Sequence, residues 1–321
     1  MANGWNGMTY TNIARKGFPA FLKGLAPLGV FTTDFSAEAA TQGTVVQTRI
    51  VPVSDAAVDM SDAGNLTGSV AWNREDTAVI KDITTTAKSV TLDEAPATGF
   101  VIRDDEMDAI SSGVWSDTLE ILVQNKAYAV AAYCVKRAIN LLVAGTYTNT
   151  AAFTGAVSTF DLDDVVDAGE AVKQLGWNTD AETFMVLDTA YGAMLKKDNA
   201  IQDLSASGID VVRSGNLTKL DIFSVMESPI IRDCATFYNA SAYGRGFVSK
   251  PSAMTLAMRP VKCQASDRLE HYEIMIDDKT GVSLAYRVWY SPATGAMYHC
   301  FETLFGVAAA QVEALSLIKS Q

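Results

Sequence analysis

Two histidines, His271 and His299, are the chain's only imidazoles, and both fall inside runs whose alternation predicts β-strands. A strand histidine is a packing or surface residue more often than a base, so neither is assigned a catalytic role. Four cysteines, Cys134, Cys234, Cys263 and Cys300, lie far apart with no CxxC pair, which reads as free thiols rather than a zinc site. Two acidic groups have the residue type for a hard cation: Asp104, Asp105, Glu106 and Asp108, and Asp161, Asp163 and Asp164. Neither has the spacing of a known cation loop. Each sits where a helix is expected to begin, and carboxylates cap free N–H groups there. Paired carboxylates also serve acid–base chemistry, but 37 acidic residues make chance pairs common. No GxxxxGK[ST], GxGxxG opening a helix, GxSxG or HExxH occurs. The reading is therefore not an enzyme, with no catalytic, metal or cofactor residue assigned.

The totals bound the class. Of 321 residues, 49% are apolar and 19% charged, the balance of a globular chain with room for more than one lobe. No apolar run reaches the ~18 residues of a membrane span, and Met1–Tyr10 lacks the pattern of a secretion leader. The net charge of −12 disfavours a dedicated nucleic-acid binder. Residues 1–50 run the other way, with Arg15, Lys16, Lys23 and Arg49 against Asp34 and Glu38.

The element that must organise the rest is a long helix predicted over 116–144. Leu119, Leu122, Val123, Ala127, Val130, Ala131, Cys134, Val135, Ala138, Ile139 and Leu142 recur at helical spacing and form one stripe. Ser116 offers a cap and Gly145 a stop. Upstream, residues 1–43 are broken by Phe18-Pro19, Gly24, Pro27 and Gly29. They read as an arm with a short helix near Thr11–Lys16 that needs a partner surface. Thr44–Val53 and Ala78–Leu92 alternate as strands around an acidic stretch holding Asp55, Asp59, Asp62, Glu75 and Asp76. That predicts a projecting hairpin, marginal alone. Glu94–Phe100 reads as a linker, and Arg103–Met107 as the start of a short helix closed by Gly113.

Downstream, helices are expected at Asp161–Leu175 and Thr189–Asp198. Strands are expected at Thr183–Asp188, Ile209–Val212, Leu220–Val225 and Ile230–Arg232. Leu269–Ile276, Val282–Tyr290 and Ala296–Leu304 alternate as a three-strand meander, expected to pack against the stripe through Val130, Cys134 and Ala138. The apolar tail Val307–Ile318 is expected to dock back on the preceding lobe.

Several segments resemble tailed-phage coat proteins. They are Phe31-Thr32-Thr33-Asp34-Phe35-Ser36-Ala37-Glu38-Ala39 leading to Gly43-Thr44-Val45-Val46, Gly246–Met254 running into Ala257-Met258-Arg259-Pro260, Thr280–Leu284, and Leu304–Ala308 before a short apolar tail. With the order of elements, they make the whole chain similar to the major capsid proteins of tailed bacteriophages, the Hong Kong 97-like group.

That resemblance implies an α+β fold with an N-terminal arm (1–43), an extended β-hairpin loop (44–97), and a peripheral domain with the spine helix and β meander (98–150 and 261–300). An α/β axial domain takes 151–260 and 301–321. It implies self-assembly through hexamers and pentamers into an icosahedral shell around a phage genome. The implied location is the virion capsid, after synthesis in the host bacterial cytoplasm, with no membrane partner. A portal is an implied partner. The arm motif begins almost at Met1 with no preceding scaffolding segment in this sequence, for which a separate scaffolding protein is the simplest implication, though a chain already trimmed and given a new start would look the same. Some members cross-link a loop lysine to a peripheral asparagine. Lys81 and Lys88 are candidate lysines, but no asparagine follows Asn239, so that activity is not carried over. Weak, nonspecific contact with packaged DNA falls to Arg15, Lys16 and Lys23 of the arm. An encapsulin-like nanocompartment shell stays open as an alternative, and an enzyme of unrecognised class as a lesser one.

Overall fold

The predicted stripe does form a helix, and what covers it is not what its spacing led one to expect. The computed structural model describes residues 10–36, 38–50, 58–79, 86–104, 106, 116–143, 145–147, 149, 151–177, 182–198, 201, 219–239, 244–263 and 268–320. Calls on Asp55, Lys81, Asp105, Asp108, a stop at Gly113 and a strand at Ile209–Val212 lie outside them.

Helix α1 spans Tyr10–Leu25, and the long helix α2 spans Ser116–Ile139, about 36 Å at 1.5 Å per residue. Of the expected stripe, Leu119, Val123, Ala127, Val130, Ala131, Cys134, Val135, Ala138, Ile139 and Leu142 are buried, while Leu122 is exposed. The helix stops at Ile139, short of Gly145. Asn140 beyond it turns its amide oxygen to the N–H groups of Thr236 and Phe237, 3.1 and 3.2 Å away.

The expected arm with a short helix at Thr11–Lys16 is corrected. All of Tyr10–Leu25 is helical, with Pro19 inside it, and Ile13, Ala14, Phe21 and Leu25 are buried in the main core beside the stripe. Pro19 removes one i→i−4 bond and disfavours a helix interior. The tertiary burial of the face outweighs it, as it commonly does for amphipathic helices. The glycines read as breakers are contact points instead. A Cβ on Gly24 would lie 2.6 Å from Ala131 Cβ, and one on Gly17 would lie 3.1 Å from Val123 Cγ1 and 3.3 Å from Ala127 Cβ.

The sheet beneath has four strands, not the three expected. Strand β4 (Ala97–Arg103) joins β11 (His271–Ile276), β12 (Ser283–Ser291) and β13 (Ala296–Glu302) in the antiparallel order β11-β12-β13-β4. The expected linker at Glu94–Phe100 is thus half strand. Gly99 is needed there, because a Cβ would lie 2.2 Å from the His299 carbonyl oxygen. The stripe's main partner is α1, and its sheet contacts are chiefly with β4 and β13 rather than with Val282–Tyr290.

A six-stranded mixed sheet forms around a second core of Val165, Val172, Met185, Tyr191, Phe223 and Ile318. Its order is β5-β15-β9-β6-β8-β7, from Phe153–Thr154, Leu315–Lys319, Gly244–Ser249, Thr183–Leu187, Phe223–Glu227 and Lys219–Leu220. Helices α3 (Leu162–Gln174) and α4 (Thr189–Lys197) lie close to the helices expected at Asp161–Leu175 and Thr189–Asp198. The tail docks as expected, with β15 between β5 and β9. Residues 312–315 before it are held by Asn149 Nδ2 on the carbonyls of Glu313 (2.9 Å) and Leu315 (2.7 Å), and by Trp177 Nε1 on Glu313 (2.9 Å). The short strand expected at Ile230–Arg232 is a 3-10 turn over Pro229–Asp233, opened by the proline.

Between these bodies runs a three-stranded sheet, with β10 (Met254–Arg259) flanked by β1 (Thr32–Phe35) and β14 (Leu304–Ala309). Arg259 reaches back to Asp34, with Nη2 at 2.7 Å from Oδ1 and Nη1 at 2.5 Å from its carbonyl.

The close crossing of α1 and α2 makes one expectation concrete. Gly24→Ala should cost about 1–3 kcal/mol, because Ala131 is backbone-rooted and cannot swing away. Ala131→Gly in the same chain should return part of that loss. Thermal melts of the two single variants and the double variant read the coupling; additive losses would show that the helices do not touch there.

Candidate functional site

The two histidines converge, but on a packed interior. His299 on β13 is buried, its Nδ1 lies 2.6 Å from Tyr286 Oη, and its ring stacks on Phe100 at 4.6 Å. Burial pushes its pKa down to about 3 and raises that of Tyr286. His271 on β11 places Nε2 3.2 Å from Glu273 Oε2 and its ring 5.5 Å from that of Tyr10, the first residue of α1. The cluster seats the start of α1 on the sheet. Protonating His299 there would bury a charge, so its chemistry is that of a neutral packing group.

The acidic groups are caps and turn anchors. Asp161 and Asp164 form a reciprocal capping box at α3, with N–H to carboxylate distances of 3.1 and 3.2 Å. Asp163 lies exposed in the same first turn. Asp104 accepts from Tyr290 Oη at 3.0 Å, and the Arg103 N–H donates to Glu106 Oε2 at 3.1 Å. Among the described residues no three His, Cys, Asp or Glu side chains gather as a metal site. No described helix is long and apolar enough to cross a membrane. The four cysteines are free, with Cys134 and Cys234 buried.

Of the three cations expected to face DNA, Lys16 is engaged by Glu120 of α2, while Arg15 and Lys23 are exposed on α1.

The hairpin strands form a sheet of their own. Strand β2 (Val45–Ile50) pairs antiparallel with β3 (Thr86–Thr91), and Lys88 lies opposite Thr48. Its base is fixed firmly. Gly43 N–H donates to Leu92 O (2.8 Å) and Leu92 N–H to Thr44 O (2.9 Å), while Val90 and Leu92 pack on Ala257 and Leu304. Glu94 then ties the base to the long helix. Its backbone pairs with Phe305, one oxygen accepts from Tyr133 Oη at 2.7 Å, and the other lies 2.7 Å from Arg137 Nε.

Residues 58–79 are held in shape by their own carboxylates. Asp76 accepts from the backbone N–H groups of Ala78 (2.9 Å), Gly68 (3.0 Å) and Thr67 (3.0 Å). These bonds pull its pKa down to about 2. Asp59 accepts from Ser61 and Asp62 from Gly64, both at 2.9 Å. The acidic stretch is therefore a set of turn anchors. On this frame Trp72 adopts φ +63° and remains 65% exposed, its N–H donating to Met60 O at 2.8 Å. A bulky residue at positive φ is uncommon, and the fixed turn presents the indole outward. Sequence reasoning located the acidic run but not the roles of Asp76, Trp72 and Glu94. Isolated carboxylates and a lone tryptophan carry no spacing signal.

No protein-family model matches the chain, and no curated protein does. Solved structures do. The capsid structure of the cyanophage P-SCSP1u is similar at a TM-score of 0.51 and 10% identity, over 91% of this chain and 86% of that one. The mature capsid of bacteriophage PhiM1 gives 0.50 and 12%, over 91% and 86%. A chain from Gordonia phage Cozz gives 0.51 and 12%, over 92% and 85%. The chain has the phage-capsid fold. Its α+β class, expected from the sequence, is thereby shown. The three matches span 91–92% of this chain.

Two outcomes follow from the geometry. Asp76→Asn leaves one side-chain oxygen for three N–H groups, so the amides of Thr67, Gly68 and Ala78 should exchange hydrogen faster with no change in the melting of the body; unchanged exchange would remove Asp76 from its role. The second concerns acid. Because His299 stays neutral in the fold well below its ordinary value of 6.5, the unfolded chain binds the extra proton first. Its contribution is intact above about pH 6.5 and is lost as pH falls from there toward about 3. His299→Gln should flatten the fall in melting temperature across that window relative to the parent.

Proposed function

We propose that the chain is the repeating structural subunit of a closed icosahedral shell that encloses a phage genome, and not an enzyme. What carries the reading is the phage-capsid fold itself, matched over nine-tenths of the chain at TM-scores of 0.50 and 0.51. Copies of the chain would assemble as hexamers and pentamers. Most soluble assemblies close by symmetry, and heterologous contacts between unlike surfaces are how rings form.

In this reading the hairpin at 44–97 is the extended loop, lying over an adjacent copy. Residues 98–150 with 261–300 form the peripheral domain, and 151–260 with 301–321 the axial domain. Helix α1, from within the expected arm at 1–43, packs as a second layer on the spine helix. The partners are a separate scaffolding protein, a portal and packaged DNA, and the site of action is the virion after synthesis in the host bacterial cytoplasm. DNA contact is weak, because Arg15 and Lys23 release few counterions and the chain as a whole is acidic.

Electron microscopy of particles from cells expressing this chain with its scaffolding protein should show uniform closed shells. The chain alone should give few or irregular ones. Nuclease-protected DNA within particles from infected cells separates a genome shell from an encapsulin-like enzyme compartment, which would hold protein instead. Arg15→Gln with Lys23→Gln should leave assembly intact and lower only DNA retention. A chain that elutes as a monomer under all these conditions would end the shell reading.

A further inference from the structure

Strand β11 ends the four-stranded sheet on one side, and no described strand pairs with its far edge. Its six residues, His271–Ile276, run in register with β12 without a bulge. One bond fixes which backbone groups are left over. Asp277 N–H donates to Val282 O, directly opposite it, at 2.9 Å. Bonded and non-bonded pairs alternate along an antiparallel ladder, so Met275, Glu273 and His271 also turn their backbone groups to β12. Those of Tyr272, Ile274 and Ile276 point away from the sheet. Proteins blunt such an edge with proline, lysine, a bulge or extreme shortness. The six-stranded sheet does so, ending in the two-residue strands β5 and β7. Strand β11 carries none of these devices. Ile276 is 42% exposed on it, and Tyr272 and Ile274 are half-buried.

We propose that β11 pairs antiparallel with β11 of a second copy across a two-fold axis at Ile274, joining the two four-stranded sheets into one. The proposal rests on the shell reading and names a contact between one ring of copies and the next. Contacts around a ring are heterologous, whereas a two-fold contact is isologous and must be complementary to itself. Strand β11 meets that condition in one register. Pairing centred on Ile274 sets Tyr272 opposite Ile276 of the second copy and Ile274 opposite its own counterpart. The outward backbone groups of all three residues are then bonded. An aromatic residue opposite a β-branched one is a favourable cross-strand pair. Glu273, the strand's one carboxylate, falls opposite Met275. Moving the centre back to Glu273 sets the two Glu273 side chains face to face, and moving it on to Met275 sets Glu273 against Asp277. Like charges directly opposite are destabilising. Charge therefore selects the register, and the occupant is a second copy because the strand's own pattern complements itself.

The test is disulfide formation in assembled shells, in chains carrying Cys263→Ser and Cys300→Ser so that the half-buried native thiols are silent. Ile274→Cys should give covalent pairs of chains on oxidation. Tyr272→Cys alone and Ile276→Cys alone should give none, while shells mixed from these two should give pairs that join one variant to the other. Ile274→Pro removes an outward N–H, which an edge strand tolerates. Its free chain should melt as the parent does and still form hexamers and pentamers, with closed shells lost. The cysteine variants decide alone if the proline variant melts early. Ile274→Cys shells that stay unlinked, or closed shells from Ile274→Pro, would overturn the two-fold pairing and leave the shell reading standing. Parent chains that form no shells with the scaffolding protein would overturn both.

Discussion

Helices α1 and α2 approach closely where glycines of one face small side chains of the other. Gly17 and Gly24 on one face meet Ala127 and Ala131 on the other, and Lys16 and Glu120 close the flank. Everything else in the larger core depends on that contact. With α1 in place, Ile13, Phe21 and Leu25 complete a core that also takes Phe100, Ile102, Tyr286 and Phe301 from the sheet. Apolar burial at roughly 25 cal/mol per Å² makes such a layer the dominant favourable term. The aromatic and histidine cluster under Tyr10 anchors that part of α1 on the sheet.

The hairpin is attached by different physics. Its base is bound by backbone pairing, by a small apolar cluster and by Glu94, which joins the base to Tyr133 and Arg137 on α2. Its tip is shaped by carboxylates accepting from backbone N–H groups. A segment with few apolar contacts of its own keeps its form through local hydrogen bonds.

Much of this was legible in the sequence. The stripe of α2, the capping box at Asp161, the alternation of β12 and the docking tail each rest on local patterns of one period. What the pattern hid was tertiary. Ile13, Ala14, Gly17, Phe21, Gly24 and Leu25 do recur at helical spacing, but only if glycine is counted as a contact residue rather than a breaker. Pro19 argued the same wrong way. Strand β4 was masked by Pro96 and Gly99, although Gly99 is demanded by the backbone of His299. Lys16 looked like a free cation because its partner Glu120 lies more than a hundred residues away. The two histidines gave no hint that they would share one cluster, since their meeting depends on strand register.

The placement of β15 has a consequence for how the molecule comes into being. Residues 315–319 fill an interior position of the six-stranded sheet, between β9 and β5, and β14 likewise completes the sheet that joins β1 to β10. Strand β9 therefore has an unpaired edge for as long as those residues are still to be made. During translation the nascent chain carries an open sheet with no lid on its second core, a state prone to pairing with other chains. Pairings such as Thr32 with Thr255 are also distant in sequence, which slows closure. The second core therefore closes only once β15 has been made.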